Sequence, residues 1–292
     1  MKIQMLAAIG LAFALSAGGA EAETAEINGL QMYYEVHGEG EPIVLIHGAY
    51  MTVETNWGAM IPALTAAGRQ VIAMDLQAHG KTSDRDTPIR YESMADDVAA
   101  LMDHLKIHDA AVFGYSMGGG VAIRLAMQHP GKVNRLVVAS ASIRYDALPD
   151  GFKEMIETIT PEMFAGSGFD APHTAIAATP GGFATLVDKL KDLDLQEFAW
   201  PADEVAKIDV PTLLIFGDAD VVKIEHAAEL HRLFGGITDG DSNGIPNVEL
   251  MVLPGTSHTG VFFNPANVEI MKQVVPAFLK RELPQAPMMP GQ

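Results

Sequence analysis

The sequence alternates short, continuous apolar runs with segments in which apolar residues recur at helical spacing. The apolar runs occupy residues 42–46, 70–74, 110–113, 133–139, 211–216 and 248–252. The helical segments occupy residues 57–67, 91–105, 119–127, 224–234 and 266–280. Unbroken apolar runs of this length are typical of strands that are buried on both faces of a sheet. Because such strands alternate with helices, we expect an α/β fold, that is, a mainly parallel, twisted sheet flanked by helices.

The alternation stops between residues 143 and 208, where strand-like runs disappear and short helical patterns are separated by Pro- and Gly-rich breaks. We interpret residues 143–208 as a helical cap that is inserted over the sheet. The core is then formed by residues 23–142 and 209–283, and the Pro- and Met-rich tail at 284–292 is predicted to be disordered. The strand-like stretch 26–36, with the Gly-rich turn after it, predicts a leading antiparallel hairpin.

The N-terminus has the pattern of a secretory signal peptide. Lys2 precedes an apolar run over residues 5–15, and Ala20-Glu21-Ala22 has the A-x-A form of a cleavage site. We therefore predict that residues 1–22 are removed on export and that the mature protein is periplasmic or secreted. The apolar run is too short to span a bilayer, and a membrane-tethered N-terminal helix is the alternative interpretation.

The chain is strongly acidic, with 37 Asp and Glu residues against 19 Lys and Arg and a net charge of −18. Such a surface repels nucleic-acid phosphates and anionic membranes, so neither is expected as a stable partner. We interpret the acidity as a source of solubility rather than as evidence for a cationic substrate. The absence of cysteine excludes disulfides, a cysteine nucleophile and a thiolate metal site. No metal or other cofactor is expected.

A glycine-flanked serine lies at a predicted strand-to-helix joint. The pentapeptide 114–118, Gly-Tyr-Ser-Met-Gly, follows the apolar run 110–113 and precedes the helical segment 119–127. At such a joint the serine occupies a strained turn with its hydroxyl exposed, and the glycines let neighbouring backbone approach closely. The positive end of the following helix points at the serine, where an oxyanion would form. Ser116 is therefore the candidate nucleophile.

A serine nucleophile needs a base to accept its proton and an acid to orient that base. His258 is the candidate base, because a loop just after a buried strand lets its imidazole reach another strand end. Asp218 and Asp220 both follow one buried strand. Asp218 suits a tight Asx-turn, whereas Asp220 lies beyond the turn and can face His258, so we favour Asp220 as the acid. Like His47 and Asp75, the candidates fall at carboxyl ends of predicted strands, where sites in open α/β sheets lie.

Two backbone donors are needed to bind an oxyanion. One is predicted to be the Met117 N–H, directly after the serine. The other is predicted to be the Ala49 N–H, in the turn that follows the strand ending at His47 and Gly48. We interpret His47 itself as a structural histidine that holds this loop.

Residues 239–244, Asp-Gly-Asp-Ser-Asn-Gly, match the first half of a calcium-binding loop. The closing acid would fall at Leu250, and Glu249 is one place early. We therefore favour a plain Asp/Asn/Gly turn over a calcium site formed by Asp239, Asp241 and Asn243.

Together these motifs resemble those of the α/β-hydrolase superfamily, in particular its esterase-like members with a helical cap. The matching segments are 45–48 (Leu-Ile-His-Gly), 75–82 (Asp-Leu-Gln-Ala-His-Gly-Lys-Thr), 114–119 (Gly-Tyr-Ser-Met-Gly-Gly), 217–220 (Gly-Asp-Ala-Asp) and 254–258 (Pro-Gly-Thr-Ser-His). With the elements between them, the resemblance covers residues 27–279. The chain order Ser, Asp, His is also that of hydrolases with a nucleophile elbow.

The resemblance implies that Asp220 is the acid of the triad and that Asp75 and His79 have structural roles. Where the family has the first glycine of an Asp-x-x-Gly-His-Gly loop, this chain has Ala78. Haloalkane dehalogenases and epoxide hydrolases resemble this fold but use an aspartate nucleophile, and Ser116 argues against both. Carboxylesterases, lactonases, C–C bond hydrolases, aminopeptidases and cofactor-free perhydrolases remain, and they differ in the cap.

We therefore expect a serine hydrolase that cleaves small or medium carboxylic esters through an acyl-enzyme intermediate, with a small-molecule ester as its partner. The alternatives are a lactonase or C–C bond hydrolase on the same residues, or a non-catalytic binding protein with the hydrolase fold. Several apolar cap residues fit an apolar pocket, although most are explained more simply as the core of the cap. These residues are Met155, Ile156, Met163, Phe164, Phe169 and Trp200.

Overall fold

A computed structural model describes residues 21–178 and 182–287 of the chain, and within them eight strands form one sheet. The strands are β1 (Glu21–Ile27), β2 (Leu30–His37), β3 (Glu41–Ile46), β4 (Arg69–Met74), β5 (Ala110–Tyr115), β6 (Val133–Ala139), β7 (Thr212–Ala219) and β8 (Val248–Ser257). Their order across the sheet is β1-β2-β4-β3-β5-β6-β7-β8. β1 pairs antiparallel with β2 and β2 with β4, while the other pairs are parallel. The predicted mainly parallel sheet is confirmed.

The helices of the described residues connect these strands and form the cap. They are α1 (Ile61–Ala66), α2 (Tyr91–His104), α3 (Met117–Gln128), α4 (Phe152–Thr158), α5 (Asp170–Ile176), α6 (Gly182–Asp194), α7 (Ala202–Val205), α8 (Ile224–Leu233), α9 (Gly240–Asn243), α10 (Gly260–Phe263) and α11 (Pro265–Lys280). The predicted helix over 57–67 is wrong in its bounds, because a π-helical turn over Val53–Trp57 precedes a shorter α1. Pro62 lies in the first turn of α1, where its missing N–H is not needed.

The leading hairpin differs from the prediction in the place of its turn. Residues 26–36 do not form one strand, because the chain reverses at Asn28 and Gly29, between β1 and β2. Both residues have positive φ values, 47° and 82°, which is the conformation that a two-residue hairpin turn requires and that Asn-Gly adopts readily. The Gly-rich turn after β2 leads instead into β3.

The central strands are buried on both faces of the sheet, as their unbroken apolar runs predict. In β3, Val44 contributes to the apolar layer that α2, α3 and α8 cover, and its neighbour Leu45 contributes to the layer that α1 and α11 cover. Alternate residues of one strand thus face opposite layers, because side chains alternate across a strand. This double burial leaves the carboxyl end of the parallel strands as the free edge on which a site can form.

The cap leaves and rejoins the core at a narrow neck between β6 and β7. Arg144 forms an isolated antiparallel bridge with Ala199, and the Trp200 N–H donates to the Ile143 carbonyl at 2.8 Å. α4, α5 and α6 lie between the two sides of this neck, whereas α7 follows it and packs on α3. The predicted end of the cap at residue 208 is therefore later than the neck.

The two ends of the chain lie largely outside the described residues. Of the predicted signal peptide, only Glu21 and Ala22 are described, and they begin β1. In the tail, Gln285 pairs with Ile245, so the predicted disorder from residue 284 is wrong at its start, and residues 288–292 lie outside the described part. Among the described residues, no helix is long and apolar enough to cross a membrane.

Candidate active site

Ser116 occupies the turn between β5 and α3 in a backbone conformation that residues with a side chain rarely adopt. Its φ and ψ are 54° and −121°. Two hydrogen bonds hold this strained turn, from the Ser116 N–H to the Ala139 carbonyl at 2.8 Å and from the Gly120 N–H to the Ser116 carbonyl at 3.0 Å. Strain of this kind persists only where the surrounding structure enforces it, and it is concentrated at functional sites.

The glycines on either side of the serine are required by close backbone approach. A Cβ atom at Gly114 would clash with the Gly118 carbonyl, and one at Gly118 would clash with the Ile46 and His47 carbonyls. α3 can therefore begin directly against the ends of β3 and β5 only because both positions lack a side chain. The elbow predicted from the pentapeptide is present with the geometry that its glycines allow.

The structure brings Ser116, His258 and Asp220 together at the carboxyl edge of the sheet. The Ser116 Oγ lies 2.8 Å from the His258 Nε2, and the His258 Nδ1 lies 2.7 Å from the Asp220 Oδ1. The serine is thus positioned to give its proton to a neutral imidazole. The imidazole is oriented by a carboxylate on its far side, which is the arrangement that nucleophilic catalysis by serine needs.

The Asp220 carboxylate is fully buried and has several hydrogen-bond donors. The Ser140 hydroxyl donates to its Oδ2 at 2.5 Å, and the Val222 N–H donates to its Oδ1 at 3.2 Å. Burial alone would raise the pKa of Asp220, but the hydrogen bond and charge of His258, with the donors from Ser140 and Val222, outweigh it and hold the pKa below its usual value. Asp220 is therefore an anion that can stabilise a protonated His258.

Asp218, near the end of β7, and Asp220, directly after it, make different contacts. Asp218 is exposed, and its Oδ1 accepts a hydrogen bond from the Thr256 N–H at 3.0 Å. Hydrogen bonds from the Gly255 and Thr256 backbone lower the pKa of Asp218. Asp218 thereby fixes the loop that carries His258 without touching the imidazole.

Tyr115 holds the base, His258, in position through a hydrogen bond and a stacked ring. Its hydroxyl donates to the His258 carbonyl at 2.9 Å, and its ring stacks on the imidazole with centroids 5.5 Å apart. Because Tyr115 is the last residue of β5 and is buried, the strand that presents the nucleophile also positions the base.

The predicted oxyanion donors border the same cavity. Ala49 and Met117 both line it with Ser116. Neither N–H donates a hydrogen bond to any described residue, so both are available to a ligand. The loop of Ala49 is held by the Gly48 N–H, which donates to the Asn56 Oδ1 at 2.9 Å.

His47 and His79 are buried and lie behind the oxyanion loop. The Leu76 N–H donates to the His47 Nε2 at 3.0 Å, and the His47 Nδ1 is 2.8 Å from the Gly48 carbonyl. Burial lowers the pKa of His47 to about 4, so it is neutral and holds the loop, as interpreted from the sequence. His79 packs on it with ring centroids 4.8 Å apart.

Asp75 joins the two loops that border this histidine pair. Its carboxylate accepts from the Val53 N–H at 2.8 Å and from the Lys81 N–H at 2.9 Å. Ala78, which replaces the usual glycine of this loop, has a φ of 63° and so takes up the left-handed conformation with a side chain. Such a conformation costs about 1 kcal/mol relative to glycine, which leaves the loop geometry intact.

The Asp/Asn/Gly loop at residues 239–244 contains the start of α9. The Asp239 side chain accepts from the Ser242 N–H and caps α9. Among the described residues, no group of three or more His, Asp or Glu side chains is arranged to hold a metal ion.

A cavity of about 280 Å³ opens between the cap and the sheet, and Ser116 and His258 lie on its floor. Of the cap residues predicted to border a pocket, Met155, Ile156 and Phe169 do so. Trp200 instead packs on Tyr91, and Met163 is 65% exposed. Other apolar lining residues are Leu148, Phe152, Ile159, Leu193, Phe198, Val221 and Val222.

Three residues of the site were not predicted from the sequence: Ser140, Tyr115 and Asp194. Ser140 directly follows β6, so the strand-end position that selected the other candidates is a signal that could have found it. Asp194 belongs to the cap, where no rule of strand ends applies, and only the tertiary structure places it in the cavity.

Comparison with known proteins agrees with this fold. A family model described as the alpha/beta hydrolase fold matches residues 41–181. The chain is similar to the non-heme chloroperoxidase CPO-A1 of Kitasatospora aureofaciens, with 27% identity over 286 residues that cover 87% of this chain and 98% of the relative.

Solved structures of hydrolases share the architecture. A meta-cleavage product hydrolase from Pseudomonas fluorescens IP01 superposes with a TM-score of 0.69 at 21% identity, over 90% of this chain and 97% of that one. An esterase from Exiguobacterium antarcticum superposes with a TM-score of 0.69 at 23% identity, over 89% of this chain and 100% of that one. Identities of this size show the fold alone. On the combined evidence of motif, fold and relatives, the chain belongs to the α/β-hydrolase superfamily.

Proposed function

We propose that this protein is a serine hydrolase that cleaves carboxylic esters, with Ser116 as nucleophile, His258 as general base and Asp220 as orienting acid. The observation that supports it most directly is the continuous chain of hydrogen bonds from the Ser116 hydroxyl through the imidazole to a buried carboxylate. The small cavity above this chain, with a mostly apolar wall, suits a small or medium ester.

In the first half of the reaction, the Ser116 Oγ attacks the acyl carbon while the His258 Nε2 accepts the serine proton. The Ala49 and Met117 N–H groups bind the oxyanion that forms. His258 then protonates the leaving alcohol, and an acyl-Ser116 ester remains.

In the second half, water takes the place of the alcohol. His258 accepts a proton from the water, the hydroxide attacks the acyl carbon, and the acid is released as the serine recovers its proton. Asp220 remains ionised throughout and stabilises the imidazolium in both halves.

Ser116→Ala tests the nucleophile. We expect kcat for a p-nitrophenyl ester to fall by about 10⁴-fold or more, while the circular dichroism spectrum and thermal unfolding stay unchanged. Ser242→Ala is the matched control, because Ser242 is exposed on α9 and does not line the cavity. Turnover retained by Ser116→Ala would contradict the assignment.

Other reactions on the same residues are distinguished by substrate. Among solved structures of the same fold are an enol-lactonase from Burkholderia xenovorans LB400 and the meta-cleavage product hydrolase. A panel of open-chain esters, lactones and C–C substrates shows which bond is cleaved with the highest kcat/KM. A non-catalytic binding protein would in addition fail to label at Ser116 with a fluorophosphonate.

A further inference from the structure

A carboxyl group from the cap lies in the same cavity as Ser116 and His258. Asp194 is the last residue of α6, and it lines the cavity beside the buried Leu193. Its side chain has no hydrogen bond to the residues described by the structure, and the charge that acts on it is that of His258. Asp194 is therefore an unpaired carboxyl group that faces the space where a substrate binds.

Nothing in the local structure favours a carboxylate at this position. Burial raises the pKa of Asp194 to about 7, and only the charge of His258 acts in the other direction. The last turn of a helix is also the negative end of its dipole, which disfavours an anion. A half-buried charge that is poorly solvated and has no partner destabilises a fold unless a ligand supplies the partner. A structural role therefore does not explain Asp194, whereas a binding role does.

Within the described residues, the surroundings of Asp194 hold no cationic partner other than His258 in its protonated form. The cavity lining within the described residues has no Lys or Arg, and its other titratable groups are Tyr50, Tyr91, Tyr115 and His258. Burial raises the pKa of the three tyrosines, so they are neutral. The Tyr50 hydroxyl is buried and has no hydrogen-bond partner in the described part of the chain, and the charge of Asp194 adds to the rise of its pKa. The cavity thus presents a carboxyl group without a partner, beside a lining residue whose buried hydroxyl is unsatisfied.

We propose that Asp194 forms a subsite for a cationic hydrogen-bond donor on the substrate, of which a primary ammonium is the simplest example. An ammonium supplies the positive charge that Asp194 lacks, and its N–H groups are strong donors to a carboxylate. The inference rests on the proposed ester hydrolysis, because the subsite selects which esters react with Ser116.

Esters that differ only in one terminal group test the subsite. In one series, p-nitrophenyl esters carry an acyl chain that ends in an ammonium, a methyl or a carboxylate group. In a second series, acetate esters carry the same three groups on the alcohol, and chain length is varied in both. At about pH 8, where Asp194 is ionised, we expect kcat/KM to fall from ammonium to methyl to carboxylate in at least one series. The decrease in kcat/KM from the ammonium ester to the methyl ester is expected to be about tenfold, which is the effect of losing one hydrogen bond to a charged group.

Two variants remove the same charge from the same helix. Asp194→Asn is expected to abolish the preference for the ammonium ester. Asp192→Asn is expected to retain it, because Asp192 is exposed outside the cavity and pairs with Arg90 at 2.7 Å. Thermal unfolding checks that each variant is folded, and fluorophosphonate labelling checks that its serine is reactive.

The outcomes separate the subsite from the proposed function. Wild-type protein that hydrolyses none of the esters contradicts the proposed function itself. Hydrolysis of the methyl esters without any preference for ammonium overturns the subsite alone. So does a preference that Asp192→Asn loses as well, or an equal loss of all three esters in Asp194→Asn, since the effect would then arise from overall charge or through His258.

Discussion

Two carboxyl groups border the same cavity, one held by the sheet and the other by the cap. Asp220, at the end of β7, is surrounded by donors from Ser140, Val222 and His258, and its pKa is lowered. Asp194, at the end of α6, has no donor in the described structure, and its pKa is raised to about 7. The Asp220 side chain is buried and Asp194 is half-buried at the cavity, and burial raises the pKa of both, so burial alone does not explain why their pKa values shift in opposite directions.

The supply of donors therefore decides what a poorly solvated carboxylate does. At the sheet edge, fixed N–H and hydroxyl groups lower the pKa of Asp220, so that its carboxylate can orient the imidazole. In the cap, the missing donors leave Asp194 with an unmet requirement that a ligand can satisfy. The carboxylate at the sheet edge therefore has its hydrogen-bond partners without substrate, whereas the carboxyl group in the cap has none in the described structure.

The largest effect is expected at Asp220, the carboxylate that already has its hydrogen-bond donors. Asp220→Asn keeps the size of the side chain but removes the charge that stabilises the imidazolium and fixes its tautomer, so we expect kcat to fall by about 10⁴-fold. Steady-state hydrolysis of a p-nitrophenyl ester measures it. Asp218→Asn is the matched control two residues away, and because an amide oxygen can still accept from the Thr256 N–H we expect less than about a tenfold change. A larger loss of kcat in Asp218→Asn than in Asp220→Asn would reverse the assignment of the two aspartates.

A smaller effect is expected when one donor to Asp220 is removed. Ser140→Ala deletes the hydroxyl that donates to the Asp220 Oδ2 at 2.5 Å. A hydrogen bond to a charged group is worth about 1.5–3 kcal/mol, so we expect kcat/KM to fall by about tenfold or more. If Ser140→Ala were as active as wild type, the hydrogen bond from Ser140 to Asp220 would not contribute to catalysis.

The smallest effect concerns stability. The pKa of Asp194 is about 7 in the folded protein against an ordinary 3.8, so the folded state holds this proton more tightly than the unfolded chain does. Stability is therefore lost as the pH rises from about 4 to about 7 and Asp194 ionises. Asp194→Asn removes this loss, and we expect its Tm to exceed that of wild type by about 2–4 °C at about pH 8, with a smaller difference at about pH 5.

Calorimetry across this pH range measures the difference. Tyr50 and Tyr91 stay neutral throughout because burial raises their pKa values, and His258, the other group that faces Asp194, is common to both proteins. Asp192→Asn is again the control, with no gain expected from an exposed, paired carboxylate. A Tm of Asp194→Asn below that of wild type at about pH 8 would show that Asp194 stabilises the fold.

Much of the core and of the candidate site could be predicted, because each signal is local. Apolar runs predict strands buried on both faces, and the Gly-x-Ser-x-Gly spacing predicts the elbow, since only glycine tolerates the backbone contacts at residues 114 and 118. The turn at Asn28 was missed although its Asn-Gly pair is also a local signal. The helix over 57–67 was misplaced because the capping by Thr52 starts a π-helical turn earlier.

The α/β-hydrolase fold, the strained serine and the order of the residues that meet it follow from local sequence patterns, since strand ends of a parallel sheet converge on one edge whatever the loops between them do. The surroundings of that edge follow only from the way in which distant segments pack. The donors to Asp220, the stacking of Tyr115 on His258 and the position of Asp194 arise from contacts between segments far apart in the chain, for which local sequence carries no periodic signal. The position of Asp194 depends on how the cap packs on the sheet, and no local sequence pattern predicts that packing.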